Sequence, residues 1–165
     1  MISRRLWLAG GAGFAVLAAL RFMPGEDVSA APFEVSKSDG EWRRILTPAA
    51  YNVLRHHGTE RPFTSPLNAE KRNGTFACAG CELPLFSAQA KFDSGTGWPS
   101  FYQPLPGAVA SSDDRSLLIP RTEVHCRRCG GHLGHVFRDG PPPTGLRYCI
   151  NGVALSFAPA ARGAA

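Results

Sequence analysis

The chain has 165 residues, 44% of them apolar and 19% charged, which suits one folded domain and excludes both a disordered tract and two ordinary domains. Eighteen glycines and fourteen prolines exclude a helical bundle, because both residues interrupt helices. Of the net charge of +5, Arg4, Arg5 and Arg21 against Glu26 and Asp27 place one charge in the first 30 residues. The rest is spread out, with Arg127-Arg128 as the only basic cluster, so nucleic acid is not implied.

Residues 1–30 read as an export leader. Arg4 and Arg5 precede an uncharged, mostly apolar run from Leu6 to Leu20 that is short for a membrane span. The order Ser3-Arg4-Arg5-Leu6-Trp7-Leu8 resembles a twin-arginine signal, a route that carries folded proteins and would allow metal loading before export. Val28-Ser29-Ala30 suits cleavage after Ala30; an uncleaved anchor or an ordinary Sec signal are the alternatives. The expectation is an exported, periplasmic protein, soluble or held by its N-terminus. Residues 31–40 read as a polar linker, 41–159 as the domain and 160–165 as a flexible tail.

Thr47-Pro48 is a helix start, a capping hydroxyl followed by proline at the first helical position. The helix continues through His57 with Tyr51 and Leu54 on one side, and Gly58 ends it. Beyond it, short apolar runs at 75–77, 117–119, 122–124, 146–150 and 153–157 alternate with Gly, Pro and Asp. The fold class is mainly β and antiparallel, with a helical N-terminal flank.

The cysteines fall into Cys78-Ala79-Gly80-Cys81 and Cys126-Arg127-Arg128-Cys129-Gly130-Gly131, plus Cys149. Two residues between cysteines let a tight turn aim both thiolates at one point, and two such turns complete a tetrahedron around Zn²⁺. Two disulfides or a redox-active dithiol are the alternatives. The long separation of the pairs implies that they staple distant strands.

Cys149 lies in Gly145-Leu146-Arg147-Tyr148-Cys149-Ile150-Asn151. As a strand, this segment puts Arg147, Cys149 and Asn151 on one face, with a positive charge that favours the thiolate. A buried structural cysteine, an Arg147 paired with a surface carboxylate and a hairpin turn at Asn151-Gly152 are the plainer readings. Upstream, His132, His135 and Asp139 form a second polar cluster in which an imidazole could deliver a proton. Three apart in an extended segment, the histidines face opposite ways unless Gly134 bends the chain. The glycine-rich loop from Ser94 to Phe101 presents Trp98 and Phe101, as a pocket wall or as ordinary core.

These segments resemble the methionine-R-sulfoxide reductases, the MsrB family. The matching stretches are Leu46-Thr47-Pro48, Arg55 to Pro66, Cys78 to Cys81, Phe92 to Phe101, Arg121 to Val124, Cys129 to Phe137 and Arg147 to Asn151. The resemblance implies two antiparallel β-sheets, a structural zinc on Cys78, Cys81, Cys126 and Cys129, and Cys149 as nucleophile. It also implies His132, His135 and Asp139 as polar site residues, Arg147 and Asn151 flanking the nucleophile, and Trp98 against the substrate methyl group, with Phe101 beside it. The implied substrate is methionine-R-sulfoxide in proteins or peptides, reduced by Cys149 while His135 or His132 protonates the oxygen. Many members carry a resolving cysteine where this chain has Thr96, so an external thiol, a thioredoxin-like protein or glutathione, is the expected reductant. Nothing suggests more than a monomer. A non-catalytic zinc module holding a protein partner would need only the knuckles, and a cysteine hydrolase could use Cys149, His135 and Asn151.

Overall fold

The computed structural model describes residues 33–116 and 119–161. The expected leader lies outside them, and so does most of the run at 117–119. Two helices come first. Helix α1 (Asp39–Ile45) starts with a capping box between Ser38 and Glu41, and α2 (Pro48–His56) is capped by Thr47, whose hydroxyl accepts from the Ala50 amide at 3.2 Å. Helix α2 buries Ala50, Tyr51, Val53 and Leu54, and His57 ends it in the left-handed conformation at φ 55°. The stop therefore falls one residue before Gly58, whose amide bonds the Asn52 carbonyl at 3.0 Å.

Residues 33–38 are not a free linker. The Val35 amide bonds the Arg128 carbonyl at 2.9 Å, and Phe33 packs so closely on the second cysteine turn that a Cβ at Gly130 would meet its ring at 2.2 Å. At the other end, the Ala160 amide bonds the Asn73 carbonyl, so the expected tail begins tied to the domain.

Among the described residues, nine strands form two antiparallel sheets. The first has the order β2-β1-β9, from β1 (Gly74–Cys78), β2 (Pro84–Ser87) and β9 (Leu155–Pro159). The second has the order β3-β4-β8-β7-β6-β5, from β3 (Lys91–Phe92), β4 (Ser100–Phe101), β5 (Val109–Asp114), β6 (Arg121–Cys126), β7 (His132–Phe137) and β8 (Arg147–Ile150). The expected strand at 153–157 is half a 3-10 turn, Gly152–Ala154, and half β9.

Aromatic packing joins the sheets. Phe86 of β2 stacks on Phe101 of β4 at 4.3 Å between centroids, and Phe76 of β1 meets Phe101 edge-on at 5.0 Å. Such pairs add about 0.5–1.5 kcal/mol each beyond their burial. Phe101, expected on the pocket wall, is fully buried here. The register explains it: Ser100 opposes Cys149 while Phe101 opposes Tyr148, so period two turns Phe101 to the other face.

Candidate active site

Zinc first. Cys78 closes β1 of one sheet and Cys126 closes β6 of the other, so the metal staples the sheets together. The two turns are built alike. The Cys78 amide bonds the Leu83 carbonyl and the Glu82 amide bonds back to Cys78, just as Cys126 bonds Gly131 and Gly130 bonds Cys126. Both turns need a left-handed residue after the second cysteine: Gly130 at φ 67° in one, Glu82 at φ 60° in the other.

All four sulfurs lie within 4.8 Å of one another, with Cys78–Cys129 at 3.8 Å and Cys81–Cys126 at 3.5 Å. A Zn–S bond of about 2.3 Å gives a tetrahedral edge of about 3.8 Å, whereas a disulfide brings sulfurs to about 2.05 Å. The close pairs also run between the turns rather than within them. Four mutually contacting thiols compete for protons, which pushes Cys78 and Cys129 up and Cys126 down. A divalent cation resolves that competition by making all four thiolates. The set is a structural zinc site.

Cys149 sits on the middle of the larger sheet. Register places Phe92, Ser100, Cys149, His135, Glu123 and Ser112 in one row across six strands, all on the face away from the aromatic core. The loop between β3 and β4 arches over the thiol. The Thr96 hydroxyl lies 3.9 Å from the Cys149 sulfur and 2.8 Å from Ser94, which in turn reaches Ser100 at 2.8 Å. Burial pushes the Cys149 thiol above the ordinary cysteine value. Thr96 and Arg147 pull it down without offsetting burial, and the Asp139 carboxylate opposes them. Arg147 is committed to Asp139 through two bonds of 2.9 and 2.8 Å and lies over the Phe137 ring. The pull of Arg147 towards the thiolate, expected from the sequence, is present, but burial outweighs it.

Both histidines reach this face. Between Val124 and His125 the β6–β7 register slips, so that two steps of β7 span one of β6, and Gly134 adopts φ 155°. A bulge reverses the alternation of side chains. The rings of His132 and His135 consequently meet at 5.4 Å. His132 Nδ1 shares a 2.7 Å contact with Glu123, and His135 Nε2 one of 2.7 Å with Asp114, which also accepts from Arg121 at 2.6 Å. Carboxylates only accept, so Nδ1 of His132 and Nε2 of His135 carry the protons. His132 is 2% exposed, and burial lowers its basicity.

Residues 46–159 match the SelR domain. The chain belongs to the SelR-domain family. It is 56% identical over 127 residues to a protein of Agrobacterium fabrum, in a match that covers 76% of this chain and 94% of that one. A Pseudomonas putida protein is 57% identical over 127 residues and 96% of its length, and one from Leptospira interrogans 54% identical over 126 residues and 96% of its length. All three are named peptide methionine sulfoxide reductase MsrB.

Within this SelR domain, the sequence-predicted residues divide. Cys149, Arg147, Asp139, His135 and His132 gather on one face. Asn151 does not join them: its side chain is buried, donates to the Leu133 carbonyl at 3.0 Å and accepts from the Glu60 amide at 2.9 Å. It anchors the end of β8. Trp98 is half-buried and donates from Nε1 to the Glu60 carbonyl at 3.2 Å. Glu60 itself accepts from the Gly152 and Val153 amides, so one residue that sequence reasoning passed over ties the Trp98 loop to the strand carrying Cys149.

Two recesses flank the row that holds Cys149. One, of about 340 Å³, is bordered by Phe63, Phe92 and Trp98. The other, of about 220 Å³, is bordered by His57, Asp114, Glu123 and His135. A third cavity, of about 810 Å³, lies between Thr122, Val136 and Tyr148 and touches none of the predicted site residues. It has apolar walls and no nucleophile. Phe92 and Phe63, rather than Phe101, border the recess beside Trp98; Phe92 is related to Cys149 across two strand pairings, which only the register reveals.

Proposed function

We propose that this SelR-domain protein is a peptide-methionine (R)-S-oxide reductase, an oxidoreductase that repairs oxidised methionine in proteins or peptides with Cys149 as nucleophile. One observation carries the reading: along the strand row, Cys149 stands between Phe92, which borders the aromatic recess, and His135 and Glu123, which border the acid–imidazole recess. A methionine sulfoxide sulfur bears a methyl group, an oxygen and a longer chain, so it needs an apolar pocket on one side and a proton source on the other. A fixed left-to-right order of these recesses around one sulfur is a handed arrangement and selects one epimer.

The Cys149 sulfur attacks the sulfoxide sulfur while the oxygen takes a proton from His135. The sulfoxide S–O bond breaks as the hydroxyl passes to the Cys149 sulfur, the transient bond between the two sulfurs breaks, and methionine departs, leaving Cys149 as a sulfenic acid. Two electrons pass from Cys149 to the substrate, and the proton of the resting thiol restores His135. The proton is assigned to His135 because it directly opposes Cys149 across the β7–β8 pair, whereas His132 is enclosed and bound to Glu123. Asp114 holds the His135 ring, and the Arg147–Asp139 pair walls the thiol. Trp98 receives the methyl group, with Phe92 beside it. Zinc on Cys78, Cys81, Cys126 and Cys129 holds the sheets and takes no part in the reaction.

With those four cysteines on zinc and Thr96 beside Cys149, the sulfenic acid meets an external thiol. A thioredoxin-like protein or glutathione condenses with it, releasing water, and a second thiol frees Cys149 by exchange. Residues 1–30 serve as a twin-arginine export leader to the periplasm in this reading, and the enzyme works as a monomer. Turnover of separated R and S sulfoxide peptides with dithiothreitol tests the activity. Reduction of R alone, abolished by Cys149→Ser, is expected; reduction of S alone, or of neither by zinc-loaded protein, contradicts it.

A further inference from the structure

We infer that His57, Glu123 and His132 form a second metal site, for a borderline divalent transition ion of the zinc, cobalt, nickel and copper group, and that its occupancy withholds the polar recess from catalysis. Nδ1 of His132 lies 2.7 Å and Nδ1 of His57 3.1 Å from the same Glu123 oxygen, and one ligand atom from each residue falls within 4.8 Å of the others. Metal bonds of about 2.0–2.2 Å to nitrogen and oxygen give tetrahedral edges of about 3.3 Å, so each imidazole needs to part from the Glu123 oxygen by less than about 1 Å. Two imidazoles and a carboxylate suit this group of ions better than magnesium or calcium, which take oxygen donors.

Charge points the same way. Glu123 is only 12% exposed in its side chain, yet among the described residues no arginine or lysine pairs with it. Its partners are imidazoles and the Ser112 hydroxyl, which donates to its second oxygen at 2.7 Å. Asp114 and Glu70, about as enclosed, hold Arg121 and Arg72. A cation at Glu123 would supply the missing countercharge, and Ser112 would fix the carboxylate as an outer-shell partner. The site is open on one side. His57 is 67% exposed, and the adjoining cavity of about 220 Å³ gives an ion entry and room for a water as fourth ligand. On binding, both rings coordinate through Nδ1 and each keeps its single ring proton on Nε2, relocated by exchange with solvent.

The effect on turnover rests on the proposed reductase reading; the binding itself does not. Zinc-loaded full-length protein dialysed against Co²⁺ near pH 7.5 is expected to take one further equivalent. That equivalent should show weak visible ligand-field bands without the intense thiolate-to-cobalt absorption of a cysteine site. His57→Ala changes an exposed side chain, leaves the circular dichroism spectrum intact and weakens cobalt binding at least tenfold, as does Glu123→Gln. Added Co²⁺ should slow reductase turnover in the parent at concentrations that leave His57→Ala unaffected. Absence of the second equivalent, its retention at parental affinity in His57→Ala, or its appearance with thiolate absorption alone overturns the site. Full occupancy with unchanged turnover overturns the inhibitory role.

Discussion

Cys149 is held as a thiol by its surroundings. Its burial outweighs the pull of Thr96 and of an Arg147 already spent on Asp139. A protonated resting state suits the proposed reaction, in which the departing oxygen takes a proton. A group whose pKa is raised is protonated across neutral pH and loses its proton only as pH climbs past the ordinary cysteine range. Alkylation of Cys149 by iodoacetamide in zinc-loaded protein should therefore rise with pH to a midpoint above that range, and Arg147→Met should move the midpoint higher still. A plateau already reached at pH 7 contradicts this. Residue identities of this kind were half legible. Cys149 stood out because the other four cysteines fall into two turns that claim them. Glu60, Glu123 and Asp114 did not, because a carboxylate gains meaning only from partners that the fold brings from elsewhere, such as Gly152 to Glu60 or His132 to Glu123.

At the scale of elements, β7 decides the site. Its bulge and Gly134 bring His132 and His135, three residues apart, to one face. A Cβ at Gly134 would sit 2.1 Å from the Cys149 carbonyl oxygen, in a backbone conformation that side chains rarely adopt. Gly134→Ala should destabilise the domain by about 2 kcal/mol or more, read from denaturant midpoints, and should cut kcat even where the fold survives. The sequence named Gly134 as the condition for the two histidines to meet, but whether a bend occurs there depends on the register against β6. Helix α2 was legible from Thr47, Pro48 and its apolar side. The capping box at Ser38 and Glu41 was overlooked, so the expected linker ran to residue 40, over the first two residues of α1. Phe101 was misread because it adjoins the Trp98 loop in sequence, whereas pairing with β8 decides which of Ser100 and Phe101 faces the thiol.

At the scale of the molecule, the described domain is two sheets joined by an aromatic stack and a four-cysteine zinc site. Zinc binding is folding free energy here, because the cysteine turns end strands of different sheets. Stripping zinc with a chelator, or Cys126→Ser, should lower Tm by at least about 10 °C and remove activity although Cys149 is untouched. An unchanged Tm would mean that the aromatic stack alone holds the sheets. Two contiguous C-x-x-C turns made this staple legible from sequence, and their long separation announced that they join distant strands. The central claim is that Cys149 alone carries the oxygen away from the substrate. It is tested most directly by mixing zinc-loaded protein with one equivalent of an R-sulfoxide peptide, without reductant, and trapping with dimedone before mass spectrometry. The account predicts one methionine formed per chain and a single dimedone adduct at Cys149. Methionine formed with an internal disulfide to Cys149, or with the adduct at another cysteine, would contradict it.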